Sequence, residues 1–333
     1  MFQNVQILRG IAAAMVVLFH AVPWLPFDPA APPLVQRVFH LWGKNGVDLF
    51  FVISGFVIMY SQSRAQRPVG AFLRDRALRI LPLYWLLTAA FAALLLALPN
   101  SFAGQPPVTV GRALLSFGMV NWLILREWPI LFVGWSLEYE ALFYLLFALA
   151  SLTVPLRRVP WLLAGALVVT VWLGWLENMV LEFAAGMLIA RLRIARDHLP
   201  GAGAIFALGV VGFVLPVLGT PVAPRALYLG IPSGMIVLGA VFLPQVKSRF
   251  GEYLGAASYS IYLGQVFALP AAYRVVQGLV PGAGYDLKVL AMGAIAIALG
   301  LPACKQDAPA PVTTDASTPP PGVWALSHWA ARV

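Results

Sequence analysis

The chain has 333 residues, of which 61% are hydrophobic and only 11% charged, and its mean hydropathy is +0.84. A soluble domain carries about 25% charged residues, so this composition excludes one and points to an all-α polytopic membrane protein. The net charge of +9 is read as topology rather than as a nucleic-acid signal, because basic residues in integral membrane proteins mark cytoplasmic loops. Apolar stretches fall near 7–23, 46–61, 80–98, 131–151, 160–175, 176–191, 202–219, 226–243, 253–270 and 286–303. Each is about as long as a bilayer requires at ~1.5 Å per residue. The first is not followed by a polar mature region, so it is expected to stay as a helix rather than act as a signal peptide.

The stretch 112–125, "RALLSFGMVNWLIL", is short and interrupted by Gly118, Asn121 and Trp122, and is read as re-entrant or interfacial. With that reading ten transmembrane helices are predicted, both termini are cytoplasmic, and fifteen Lys/Arg residues face inward against seven outward. A spanning 112–125 segment would move Arg157, Arg158 and the triplet Arg191, Arg193 and Arg196 outside and reduce the bias. Residues 1–303 therefore form one transmembrane domain, and 304–333, a Pro/Thr/Ala-rich run, reads as a disordered tail. The single cysteine, Cys304, excludes an internal disulfide.

Within the first helix, "LRGIAAAMVVLFH" places Arg9 and His20 eleven residues apart. That is about 16 Å along the axis and close to three full turns, so both project from one stripe. An extended ligand with an anionic end fits such a pair, the phosphate at the arginine and the reactive end at the histidine. The alternative is that each side chain snorkels to its own interface. "RDRALRILPLYW" brings Arg74, Arg76 and Arg79 to the cytoplasmic entrance of the third helix, suited either to phosphate or to topology and lipid binding. Asp48 in "GVDLFFVISGF" lies at a depth similar to His20, either orienting the imidazole or stabilised by the helix dipole. In "GWSLEYEALFY", Glu138 and Glu140 point about 200° apart, so at most one faces any single pocket. Glu182 reads as a packing partner.

These blocks, with "LGAASYSIYLGQ" at 254–265, stand in the order found in membrane-bound acyltransferase family 3, which the sequence resembles over roughly residues 4 to 300. The resemblance implies an acyl-CoA-dependent O-acyltransferase of the bacterial inner membrane. It would move an acyl group, typically acetyl from acetyl-CoA, onto a hydroxyl of an exported or cell-surface glycan or lipid-linked saccharide. It further implies that Arg9 and His20 are essential, with His20 the catalytic base, that Arg76 and Arg79 bind the CoA phosphates, and that Glu140 is the family's regular glutamate. Gln265 stands where the family usually has histidine, and the end of the chain lacks the family's glutamate–x–proline motif. No metal is expected, since the four histidines are scattered at 20, 40, 198 and 328. A transporter or flippase for lipid-linked saccharides is the competing class, because intramembrane charges serve those proteins too.

Overall fold

The computed structural model describes residues 2–27, 29–98, 105–219 and 224–301, which form helices and connecting loops with no strand among them. The proposed tail at 304–333, including Cys304, lies outside the described residues. In chain order the α-helices are α1 (Gln3–Ala21), α2 (Leu34–Trp42), α3 (Gly46–Ala65), α4 (Val69–Ala97), α5 (Val110–Phe117), α6 (Asn121–Leu125), α7 (Trp135–Thr153) and α8 (Val159–Trp172). They are followed by α9 (Leu181–Ala195), α10 (Ala202–Val214), α11 (Ile231–Phe242), α12 (Arg249–Ala256), α13 (Ser258–Leu279) and α14 (Tyr285–Gly300). Nine of the ten apolar stretches each overlap one helix of this set, whereas 253–270 is divided at Ala257 between α12 and α13. Four segments are long and apolar enough to cross a membrane by length and composition: Gln3–Trp24, Leu34–Ala65, Val69–Ala97 and Phe132–Thr153. The chain is an integral membrane protein of helices.

Two boundaries differ from the sequence reading for identifiable reasons. Helix α4 starts at Val69, not near 80, so Arg74, Arg76 and Arg79 lie on its first turns and not in a loop. The arginines depress local hydropathy but are good helix formers. The break before α4 is set by Gln66, left-handed at φ 42°, and by Pro68. Over 112–125 the chain forms two short helices, α5 and α6, separated by a turn at Met119 (φ 56°) and closed by another at Arg126 (φ 58°). Eight residues of helix rise only about 12 Å, well short of a ~30 Å hydrocarbon core.

The α5–α6 segment is pinned to the bundle by buried polar contacts. Arg112 donates to the carbonyls of Trp128 (3.1 Å) and Pro129 (3.2 Å) and to that of Pro106. Tyr84 of α4 donates to Ser116 O (2.8 Å), and the Ile130 N–H donates to Ser116 Oγ (2.9 Å). These bonds fix the entry to α7. Helix α1 is central and shared by both hydrophobic cores, with Val5, Ala12, Met15 and Val16 in one and Ala13, Val17 and Ala21 in the other. Helices α3 and α9 cross at glycines: a Cβ on Gly55 would stand 2.1 Å from Phe183 O, and one on Gly186 would stand 2.0 Å from Val52 O. Small residues are what allow helix backbones to approach this closely.

Candidate active site

Five helices enclose a cleft of about 760 Å³, counting its open mouth. Helix α1 contributes Arg9; α3 contributes Val47, Phe50, Ser54 and their neighbours; α4 contributes Arg76, Arg79 and Ile80. Helix α7 contributes Ser136, Glu140 and Tyr144, which repeat at four-residue spacing and so share one face, and α13 contributes Ser258, Tyr259 and Tyr262. Three guanidinium groups against one carboxylate make the cleft suited to an anion.

The polar groups of the cleft are held at defined positions. Glu140 accepts from Ser54 Oγ and from Tyr144 OH, both at 2.5 Å. The Arg76 guanidinium lies over the rings of Phe72 (5.7 Å) and Tyr144 (5.8 Å), and its buried Nε has no hydrogen-bond acceptor. A buried donor without a partner is costly, and a bound anion supplies one. Arg9 is 9% exposed and donates through Nη1 to Gln6 Oε1 at 3.2 Å, so it sits inside the protein and does not snorkel to lipid headgroups. Arg74, on the opposite side of α4 from Arg76, is exposed and does not line the cleft.

His20 lies in the last turn of α1, outside the residues that line the cleft. Its Nδ1 is 3.0 Å from Val16 O and 3.0 Å from Gln265 Oε1. Phe132 packs edge-on against the imidazole, with ring centroids 5.3 Å apart. The neighbouring Val133 carbonyl accepts from Tyr262 OH (2.9 Å), and Tyr262 also pairs with Ser136 Oγ (2.7 Å). Tyr262 and Gln265 are one turn apart on α13. Tyr262 lines the cleft, and its bond to Val133 and its place one turn from Gln265 connect that wall to the surroundings of the histidine.

The expected meeting of Asp48 with His20 does not occur. Asp48 is fully buried and gripped by Arg225, Nε to Oδ1 at 2.9 Å and Nη2 to Oδ2 at 2.6 Å. The offset arises because the carboxylate turns toward the α9–α11 side of α3, where Glu182 also lies, beside Gly230. Glu138 and Glu140 diverge as their helical angle requires. Glu138 accepts from the N–H groups of Trp122 (2.8 Å) and Leu123 (3.2 Å) and caps α6, while Glu140 alone faces the cleft. The sequence reading did not single out Ser54, Ser136, Tyr144 or Tyr262. Only the Ser136–Glu140–Tyr144 spacing was open to detection before folding. Arg225, some 177 positions from Asp48, carried no local signal. Among the described residues, no group of three or more His, Cys, Asp or Glu side chains is placed to hold a metal ion.

An apolar bundle of helices with an arginine-lined cleft and hydroxyl groups about a single carboxylate defines a helical membrane protein with a polar internal site. The acyltransferase domain family matches residues 2–304, and the chain belongs to that family, acyltransferase 3, whose members transfer groups other than aminoacyl groups. The chain is 37% identical over 269 residues to the exopolysaccharide production protein ExoZ of Rhizobium meliloti (strain 1021), a match covering 73% of this chain and 81% of that protein. It is 31% identical over 187 residues to nodulation protein 10 of Rhizobium leguminosarum bv. viciae, covering 50% of this chain and 48% of the relative. No solved structure matches the chain.

Proposed function

We propose that this acyltransferase moves an acyl group, typically acetyl, from acyl-CoA to a hydroxyl of an exported or cell-surface glycan of exopolysaccharide or lipopolysaccharide type. The observation that carries the reading is the cleft in which Arg9, Arg76 and Arg79 converge with Glu140. In this reading the arginines hold the phosphates of the donor, bidentate where geometry permits, and the pantetheine arm runs along α1 toward His20. His20 stands outside the lining of the cleft, beside Gln265, whose amide is bonded to Tyr262 of the cleft wall. His20 takes the proton of the sugar hydroxyl as its oxygen attacks the thioester carbonyl. The C–S bond then breaks, and the imidazolium returns the proton to the leaving thiolate. Glu140, braced by Ser54 and Tyr144, orients the groups around the arginines.

Supporting this reading are the family, the exopolysaccharide production named for the relative ExoZ, and the excess of cationic groups in the cleft. The same proposal places the chain in a bacterial inner membrane with ten spans, both termini cytoplasmic, and residues 1–303 as its catalytic domain. The test is thiol release from acetyl-CoA by the purified protein in detergent, with and without exopolysaccharide as acceptor. An enzyme works without a membrane gradient, whereas a saccharide flippase consumes no acyl-CoA. Absence of acceptor-dependent thiol release would remove the acyl-CoA reading.

A further inference from the structure

Gln265 is 1% exposed and lies within α13. Its side-chain amide has two ends, and both are committed. Nε2 donates to the Tyr262 carbonyl at 2.7 Å, which leaves Oε1 facing His20 Nδ1 at 3.0 Å. The Val16 carbonyl also approaches Nδ1 at 3.0 Å. A neutral imidazole carries one N–H and one lone pair, and the partners decide which nitrogen has which. Two oxygen acceptors on one nitrogen require a proton there.

The reverse arrangement carries two penalties. Turning the amide over would set Oε1 against the Tyr262 carbonyl, and a bare Nδ1 would face the Val16 carbonyl. Each is an acceptor meeting an acceptor in a buried place, where an unmade hydrogen bond is costly. From these contacts we infer that Gln265 is a positioning residue that holds His20 as the Nδ1–H tautomer, leaving Nε2 as the only lone pair available to take a proton from the acceptor hydroxyl. The inference rests on the acyltransfer reading for its consequence, but not for its geometry. Tyr262 extends the arrangement, because its own hydroxyl is tied to Val133 O and Ser136 Oγ, so the amide that sets the tautomer is anchored to the wall of the cleft. A carboxamide does this without adding a titrating group, which a histidine or glutamate at 265 would introduce.

The experiment compares the full-length wild type with Gln265→Met, which keeps the length and removes the acceptor, and with Gln265→Glu, which keeps an acceptor oxygen. Histidine-selective ¹⁵N labelling in lipid, with His20 assigned by its loss in His20→Asn, reads the protonated nitrogen directly. The wild type should show Nδ1–H, Gln265→Met a mixed or Nε2–H state, and Gln265→Glu should restore Nδ1–H. In acyl transfer, Gln265→Met should lower kcat about tenfold, the size of one lost hydrogen bond, with both KM values within about twofold. A merely structural role would reduce the amount of folded protein without moving the ¹⁵N signature. A wild-type Nε2–H tautomer, or an unchanged tautomer and kcat in Gln265→Met, would overturn the inference. If the wild type releases no thiol from acetyl-CoA, it is the acyltransfer reading that fails, while the ¹⁵N result still decides the role of Gln265.

Discussion

Three arginines share the cleft, yet their surroundings differ, and so should their loss. Arg76 has a buried Nε without an acceptor and lies over Phe72 and Tyr144, and it lines the cleft beside Arg79; both are proposed as ligands of the donor phosphates. Arg76→Ala or Arg79→Ala should each weaken acyl-CoA binding roughly 10- to 100-fold, the size of a charge-assisted hydrogen bond, measured by calorimetry in detergent. Arg74→Ala, on the exposed side of α4, should leave that affinity unchanged. His20→Ala should abolish transfer while preserving donor binding, because the imidazole acts on the attacking hydroxyl; near-normal turnover per folded molecule would remove it from the mechanism. Arg9→Lys should recover little of what Arg9→Ala loses if the phosphate contact is bidentate. The candidate arginines and glutamate were legible in the sequence because apolar helices advertise every charge they carry. Asp48 shows the limit of that signal. Its depth matched that of His20, but depth does not specify azimuth, and the carboxylate faces Arg225.

At the scale of elements, the Asp48–Arg225 pair fastens α3 to the segment that leads into α11. Asp48 is wholly buried and the Arg225 side chain is 25% exposed, so removing one partner leaves a charge with little solvent to replace it. Asp48→Asn should destabilise the fold by about 3 kcal/mol, while Asp48→Asn combined with Arg225→Leu should recover part of the loss. Thermal melting in detergent measures both, and a collapse of turnover per folded molecule in Asp48→Asn would instead give this aspartate a role in the chemistry. The α3–α9 crossing has a different sensitivity. A side chain at Gly55 meets the Phe183 carbonyl, which belongs to the helix backbone and is not free to swing away. Gly55→Leu should therefore separate α3 from α9 at a cost of several kcal/mol, and should reduce the folded yield far more than Gly264→Leu, where a new Cβ meets nothing within 4 Å. Helix positions were readable because each apolar run ends at polar or Pro-containing sequence. The early start of α4 and the split between α5 and α6 were harder, since both depend on single residues adopting left-handed or capping conformations.

Taken whole, the molecule packs α1 against α2, α3, α11, α12, α13 and α14, and leaves most residues of α4 only partly buried or exposed. The proposed orientation makes 61–79 cytoplasmic, with five arginines, and 99–130 external, with two. In a Cys304→Ser background, a cysteine at position 67 should resist impermeant maleimide in intact cells, and one at position 127 should react. Ready labelling at 67 would invert the topology. By itself the sequence determined that the chain is a helical membrane protein, roughly where its apolar segments fall, and which ionisable residues stand inside them, because bilayer insertion selects on hydropathy and charge, which are local quantities. The tertiary structure alone decided which of those residues meet. It brought Arg9, Arg76, Arg79 and Glu140 to one cleft, sent Asp48 to Arg225, and set Gln265 against His20. Those pairings depend on how each helix is rotated about its own axis. That rotation is fixed by close packing at places such as Gly55 and Gly186 and by hydrogen bonds across more than a hundred positions of sequence.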